Sequence, residues 1–454
     1  MLQPVNWIPP EIISHIARYN AIGDTHWIVP LTHVCRYWRE SIISTPENWT
    51  LITCYRPQLT ALSLERSKAA PLQLWLDMFS VRQYPGFRGL ITPYIHNIGT
   101  LQVEELIAIQ DLTRTLPEFP QSTPNLRSLD LKRSQDGPGR GMPTDPFLPF
   151  PDTLRSLSLY NIPLYPSFLR LRTLTELSLN RCTVRPPLDT LLDFLEENRS
   201  LERVDLTIDP NEPPAPILEG RAVIMDRLRH LSITSSDVII ARTLISSIPL
   251  RRGAHLGITF RDDGTGLGLN GILSGISLAH LSNLPSPTSM EYRHSPVVRL
   301  TGPNGSFSYN HEWSPGTPFA EFPVLPLTDI RELHLAHSEP SIVFPPSYFP
   351  ALETLTVQYG TDVSRLFSAL IPNPSSLPSL KVLGFLDCFI TEEFMEELSQ
   401  FASGRKSTTS ARLRRVAIVH RDGKFPPVAS IHELEKHVPT VDAQSGRTLP
   451  ADLT

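Results

Sequence analysis

The sequence predicts an α/β protein: a small α-helical unit at the N-terminus, followed by an irregular repeat array whose short strands lie in one curved parallel sheet. Three observations predict it. A hexamer of the form L-x-x-L-x-L, with conservative replacements, recurs nine times from position 126 onward. Proline supplies 45 of 454 residues, about twice the usual share of ~5%, which suits many turns and few long helices. The first fifty residues carry two short patterns with apolar residues three and four apart.

The first pattern opens with Ile8-Pro9-Pro10-Glu11. Proline is tolerated where a helix begins, because the first N–H groups have no partner there. Glu11 then lies in the first turn, at the positive end of the helix dipole. Ile12, Ile13, Ile16 and Tyr19 supply the apolar face. The second pattern is Leu31, Val34, Cys35, Trp38, Ile42, and Thr45-Pro46 ends it because the residue before proline avoids helical geometry. Each helix is too short to be stable alone. Together they carry more apolar surface than so small a unit can bury, so a partner is implied.

Ile8-Pro9-Pro10-Glu11-Ile12-Ile13, then Leu31-Thr32-His33-Val34-Cys35-Arg36-Tyr37-Trp38-Arg39, then Trp49, resembles an F-box, most of all those of the large fungal family with leucine-rich repeats behind them. The resemblance implies docking onto a Skp-type adaptor of a cullin–RING ubiquitin ligase. The adaptor-binding residues it implies are Ile8, Pro9, Pro10, Ile12, Ile13, Ile16, Leu31, Val34, Cys35, Trp38, Ile42 and Trp49. The chain departs from the pattern at Ile8, where leucine is usual, and in the polar connector 20–26. The competing reading of 1–50 is a cap that packs on the repeats.

The hexamers begin at Leu126, Leu154, Leu174, Leu201 and Leu228, and again at Ile330, Leu352, Leu380 and Leu413, with spacings of 28, 20, 27 and 27, then 22, 28 and 33. These match the leucine-rich repeat, whose unit is ~20–29 residues. A single repeat cannot bury its leucine face, so stacking is obligatory and a solenoid results. Weaker copies in the interval begin at Gly253, Leu273 and Val297. Before Leu126, alternating Leu72, Leu74 and Leu76 predict a strand. Residues 101–103 predict another and 106–116 a helical run, so 51–125 reads as a linker with degenerate first repeats. Helical runs are also predicted at 188–198 and 391–401. The array spans 126–420. Residues 134–150 and 209–216 read as loops, and 297–309 as an inserted hairpin turning at Gly302-Pro303-Asn304-Gly305 and projecting between repeats. Residues 421–454 read as a C-terminal cap, formed by 425–438, and a disordered tail.

A net charge of −5 argues against nucleic-acid binding, which calls for a basic excess. Cys35, Cys54, Cys182 and Cys388 form no C-x-x-C pair and read as small buried hydrophobes in a reducing compartment, without a disulfide framework or metal. Met1-Leu2-Gln3-Pro4 lacks signal-peptide character, and no apolar stretch reaches the ~20 residues of a membrane helix. The expected location is cytoplasmic and/or nuclear, with no membrane partner. Gly266-Leu267-Gly268-Leu269-Asn270-Gly271 matches G-x-G-x-x-G, but no helix is signalled behind it to hold a pyrophosphate, so a turn is the better reading. His334 and His337 lack a third metal ligand in register. No cofactor and no catalytic constellation is predicted; the chain is expected not to be an enzyme.

Strand side chains alternate, so the hexamer residues flanking the core leucines should face a partner. The target-binding candidates are Asp130, Lys132, Glu176, Arg203, Asp205, His230, Glu332 and His334, a mixed-charge face suited to protein recognition. In the last two repeats Val382, Gly384, Leu386, Ala417 and Val419 make that face apolar, which marks an interface or a region the chain itself covers. The resemblance and the repeats together predict the substrate-recognition subunit of a Skp–cullin–F-box (SCF) ligase, with an unidentified protein target. The alternative is a non-catalytic leucine-rich-repeat interaction scaffold.

Overall fold

The computed structural model describes residues 8–20, 26, 28–106, 109–117, 119–134, 150–162, 164–182, 188–208, 221–261, 287–293, 297–303, 305–312, 325, 327–336, 345–358, 370–371, 376–388, 390–406, 412–420 and 426–445. The loop expectations at 134–150 and 209–216, the weak copy at Leu273, the glycines 266–271, His337 and the last nine residues fall wholly or mostly outside them. Among the described residues the protein is mixed α/β, with 17 strands in a mostly parallel, open sheet. Two compact units divide it, Met1–Thr207 and Ile208–Thr454.

In the first unit three short helices, α1 (Pro10–Asn20), α2 (Ile28–Leu31) and α3 (Arg36–Ser44), lead through a 3-10 turn, Pro46–Trp49, into the sheet. There follow β1 (Leu51–Thr53), α4 (Pro57–Ser67), β2 (Leu72–Asp77), α5 (Met78–Gln83), α6 (Phe87–Ile91), β3 (Ile98–Leu106), α7 (Ile109–Thr115), β4 (Ser128–Arg133), β5 (Ser156–Tyr160), α8 (Pro166–Leu169), β6 (Glu176–Asn180), α9 (Leu188–Glu197) and β7 (Arg203–Ile208). Each strand from β1 to β7 pairs in parallel with the next. Proline stands in the first turn of α4 and α8, where its missing N–H costs nothing. Asp77 caps α5, accepting from the N–H groups of Phe79 and Ser80 at 3.1 and 3.3 Å.

The second unit contains β8 (His230–Ser235), α10 (Val238–Ser247), β9 (His255–Arg261), β10 (Ser289–Arg293), β11 (Val297–Gly302), β12 (Gly305–Glu312), β13 (Glu332–Ala336), β14 (Thr354–Gln358), β15 (Val382–Leu386), α11 (Glu392–Lys406), β16 (Arg415–His420), α12 (Val428–Glu435) and β17 (Thr440–Ser445). Its spatial strand order is β8-β9-β12-β11-β10-β13-β14-β15-β16-β17, parallel except where β11 runs against both β10 and β12.

All nine hexamers run into strands, and their first residues, from Leu126 to Leu413, are buried. The fourth and sixth residues of each hexamer are buried as well, as in Leu129 and Leu131 or Leu383 and Phe385. Each such leucine contributes about 1.5–3 kcal/mol by leaving water. The helices cover this side: Phe394 of α11 meets Phe385 edge-on at 5.2 Å. The residue after β5, β6 and β15 turns left-handed, with φ of 57° at Asn161, 50° at Arg181 and 55° at Asp387. Gly253, before β9, takes φ of 87°, where a side chain would be strained.

Three expectations are corrected. The hairpin does not project, and the copy at Val297 is not a parallel repeat strand. β11 and β12 lie in the sheet, with β12 joined to β9 and β10 to β13. Val298, Leu300 and Phe307 are buried with Met290, so the hairpin has an apolar face that projection would leave in water. The segment after Val438 is not all unstructured: β17 pairs along the open edge of β16, and the Nε of Arg415 reaches Asp442 at 2.6 Å. Edge pairing is made by the backbone and needs little hydrophobic signal. Third, the single helix expected from Leu31 to Ile42 is broken: α2 ends at Leu31 and α3 starts at Arg36, so Val34 and Cys35 lie between helices. The apolar patch of the last hexamers is buried, in keeping with a region that the chain itself covers. Leu386, Ala417 and Val419 form a small buried cluster of their own with Val382 against it. The helix α12 packs beside α11 and β17.

Cys388 falls nine residues into its hexamer unit, as Cys182 does in its own, the position where leucine-rich repeats take asparagine or cysteine. Its thiol donates to the carbonyl of Val357 at 3.3 Å, and burial pushes it up to about 12. Burial also raises Cys54, whereas Cys35 and Cys182 are half-buried. A thiol reagent applied to the native protein at pH 8 should therefore modify Cys35 and Cys182 and spare Cys54 and Cys388 until denaturant is added. Peptide mass spectrometry reads this out, and labelling of Cys388 as fast as Cys35 would contradict its placement.

Candidate interaction surfaces

The N-terminal helices divide their apolar residues sharply. Ile13 and Ala17 of α1, Ile28 of α2, Trp38 and Ile42 of α3, and Trp49 make a closed core. Ile8, Ile16, Leu31, Cys35 and Tyr37 pack around it, together with Leu59 and Leu62 of α4. Polar groups fasten it. The Trp49 indole donates to the Ile42 carbonyl at 3.0 Å, and Asn48 Nδ2 reaches the same carbonyl at 3.2 Å and Ser14 Oγ at 3.3 Å. Tyr37 donates its hydroxyl to the Ile8 carbonyl at 3.0 Å. The Arg66 guanidinium lies 4.4 Å from the centre of the Trp49 ring, a cation–π contact.

Ile12 stays 50% exposed, Val34 51% and Tyr19 73%, and Pro9 and Pro10 are also outside. The twelve residues expected to meet an adaptor are thus split. Pro9, Pro10, Ile12 and Val34 are available at the surface, and Ile8, Ile16, Leu31 and Cys35 are partly so. Ile13, Trp38, Ile42 and Trp49 are corrected to internal residues, because the 3.6-residue period that turns Ile12 outward turns Ile13 and Ala17 inward.

The strand face opposite the leucines is built in rungs. In the first unit one rung runs Trp75, Gln102, Asp130, Ser158, Ser178, Asp205 across β2 to β7. Beside it lies Glu104, then Lys132, Tyr160 and Asn180. Lys132 Nζ stands 3.0 Å from Glu104 and 3.5 Å from Asp130. Arg203 reaches Asp205 at 2.8 Å, and Glu176 accepts from Ser156 at 3.1 Å. Trp75, Gln102 and Glu104 were not among the sequence candidates. The signal for Trp75 was the alternation in Leu72-Gln73-Leu74-Trp75-Leu76, which turns Trp75 out wherever the leucines turn in.

In the second unit His230 stacks on His255 with ring centres 4.7 Å apart. His255 Nδ1 lies 2.6 Å from Ser306 Oγ, and Nε2 3.2 Å from Ser308 Oγ. Gly257 makes room: a Cβ there would meet Ser308 Oγ at 3.3 Å and the His255 Nε2 at 3.4 Å. The face continues with Arg299, 3.3 Å from Glu291, and with His334 beside Glu291 in register. Glu332 is exposed at the start of β13, whereas Thr356 is buried. Among the described residues no three His, Cys, Asp or Glu side chains could hold a metal ion, and no helix is long and apolar enough to cross a membrane. No family model and no curated protein matches the chain.

Burial holds the His334 imidazole below its ordinary value of 6.5, against the opposing pull of Glu332 and Glu291. The unfolded chain then binds more protons than the folded one just below that value, so stability falls as pH drops through it. Urea midpoints at pH 7.5 and 5.5 should fall further for wild type than for His334→Gln. Equal falls would remove His334 as a source of the acid sensitivity.

Proposed function

We propose that the chain is the substrate-recognition subunit of a Skp–cullin–F-box ubiquitin ligase. In this reading the N-terminal helices are the F-box, which docks on a Skp-type adaptor, and the stacked strands are a leucine-rich-repeat solenoid, which holds a protein target. The observation that carries it is the division within the helices. A unit that closes its own core around Trp38 and Trp49 still leaves Pro9, Pro10, Ile12, Tyr19 and Val34 in water. Apolar residues left exposed beside a core that is already closed mark a docking surface. The chain itself performs no chemistry in this mechanism. It raises the effective concentration of the target beside the ligase, in the cytosol or nucleus.

The second reading, an interaction scaffold with a helical cap, draws on one contact. Leu59 and Leu62 of α4 pack against the helical core, which ties that core to the first strands.

The readings part on two variants. Ile12→Asp combined with Val34→Asp should abolish capture by a purified Skp-type adaptor and leave the melting temperature unchanged. Trp38→Ala should instead destabilise by about 3–5 kcal/mol through the cavity it opens. A wild type that fails to bind the adaptor would leave the scaffold.

A further inference from the structure

We infer that the cleft between α11 and α12 binds a neutral polyhydroxylated ligand, a saccharide of one or two rings. The ligase reading makes no use of this cleft. Its volume is about 640 Å³, within the ~300–1,000 Å³ of small-molecule sites. Two matching helical stripes line it. Met395, Ser399 and Ser403 recur every fourth residue on α11, and Ala429, Glu433 and His437 do so along α12 and just past it. Small side chains at Ser399, Ser403, Ala429 and Ser430 leave the space between the helices unfilled. Eight helical rises from Met395 to Ser403 give the cleft a length of about 12 Å, room for two sugar rings. Lys406 donates its ammonium to the Lys436 carbonyl at 2.8 Å, which ties the C-terminal ends of the two helices together.

The lining is polar and uncommitted. Serine and threonine hydroxyls on helices commonly return to the carbonyl four residues back, as Ser41, Thr115 and Thr243 do at 2.9 Å. Among the described residues, the hydroxyls of Ser399, Ser403 and Ser430 and the amide of Gln400 make no such bond, nor any other within the chain. Each therefore brings both a donor and an acceptor to the cleft. The Glu396 carboxylate, beside Met395, likewise has no ion-pair partner among the described residues.

These groups select the ligand. Hydroxyl and amide groups donate and accept, as the hydroxyls of a sugar do. The two oxygens of Glu396 only accept, which suits a pair of neighbouring hydroxyls. Met395 and Ala429 add a small apolar surface for the C–H face of a ring. An anion would meet two carboxylates, Glu396 and Glu433, and among the described residues no lysine or arginine lines the cleft. A cation gains little, since Glu433 is already paired with Lys436. An apolar ligand would strip water from the hydroxyls and leave them unpaired.

Calorimetric titration of the full chain with maltose and with N,N′-diacetylchitobiose tests this. An array of protein-linked glycans run beside it separates a free sugar from one carried on a partner. A neutral saccharide should bind saturably on at least one arm, and sulfated or sialylated glycans should be retained less. Ser399→Leu fills the cleft and should abolish binding with the melting temperature unchanged. Gln400→Ala leaves the space open and should weaken binding about three- to tenfold, the loss of one neutral hydrogen bond. Binding that survives both substitutions would place the sugar elsewhere and overturn the inference. Preference for anionic glycans, displacement of the sugar by spermidine, or no saturable binding on either arm would overturn it too.

Discussion

One backbone contact governs the rest of the molecule. The second residue of most hexamers donates its N–H to a carbonyl at the same place in the neighbouring strand unit, as in Arg155 to Arg127, Thr175 to Arg155, Glu353 to Arg331 and Arg414 to Lys381, all at 2.7–2.8 Å. The third residue often donates to that same carbonyl, as Ser156 does to Arg127 at 2.9 Å. These bonds set the register before the strand begins. A slip of one residue would turn every leucine outward, so the apolar core and the polar rungs both depend on it. Hydroxyls just ahead of the hexamers reinforce it: Thr173 and Ser200 donate to the carbonyls of Leu154 and Leu174 at 2.7 Å. Asn198 spans from Leu171 to Phe194 in the same way.

Because the register repeats, irregularity can be absorbed between strands. Segments of different length and content connect them, from the short α8 to the fifteen-residue α11. The buried Arg405 of α11 shows how an added helix is tied in. Its guanidinium donates to the Leu380 carbonyl at 2.9 Å, and burial presses it down to about 10. The β10–β11–β12 insertion is absorbed differently. Its outer strands present parallel edges to β13 and β9, so an antiparallel excursion rejoins a parallel sheet with its ladder hydrogen bonds intact.

The N-terminal helices obey another economy. Six apolar residues suffice to close their core, and the remainder stay in water or half in it. Surplus apolar surface there contrasts with the polar strand face of the same unit.

The sequence by itself determined the hexamer strands, their inward residues, the helices α9 and α11, and the first helix at the N-terminus; the single helix expected from Leu31 to Ile42 is instead α2 and α3 with residues 32–35 between them. Those follow from local periodicity, which leaves its mark on the order of residues. Tertiary structure decided the remainder. Periodicity could not tell that Ile12 would stay outside while Ile13 and Trp38 turned in, because α2, Trp49 and α4 decide which stripe of a short helix is covered. Nor could it tell that Val298, Leu300 and Phe307 would fill the sheet, or that Thr440–Ser445 would find the edge of β16, since strand pairing is made by backbone groups common to every residue. The rung from Trp75 to Asp205 joins residues up to 130 positions apart, and only the stacked register brings them onto one face.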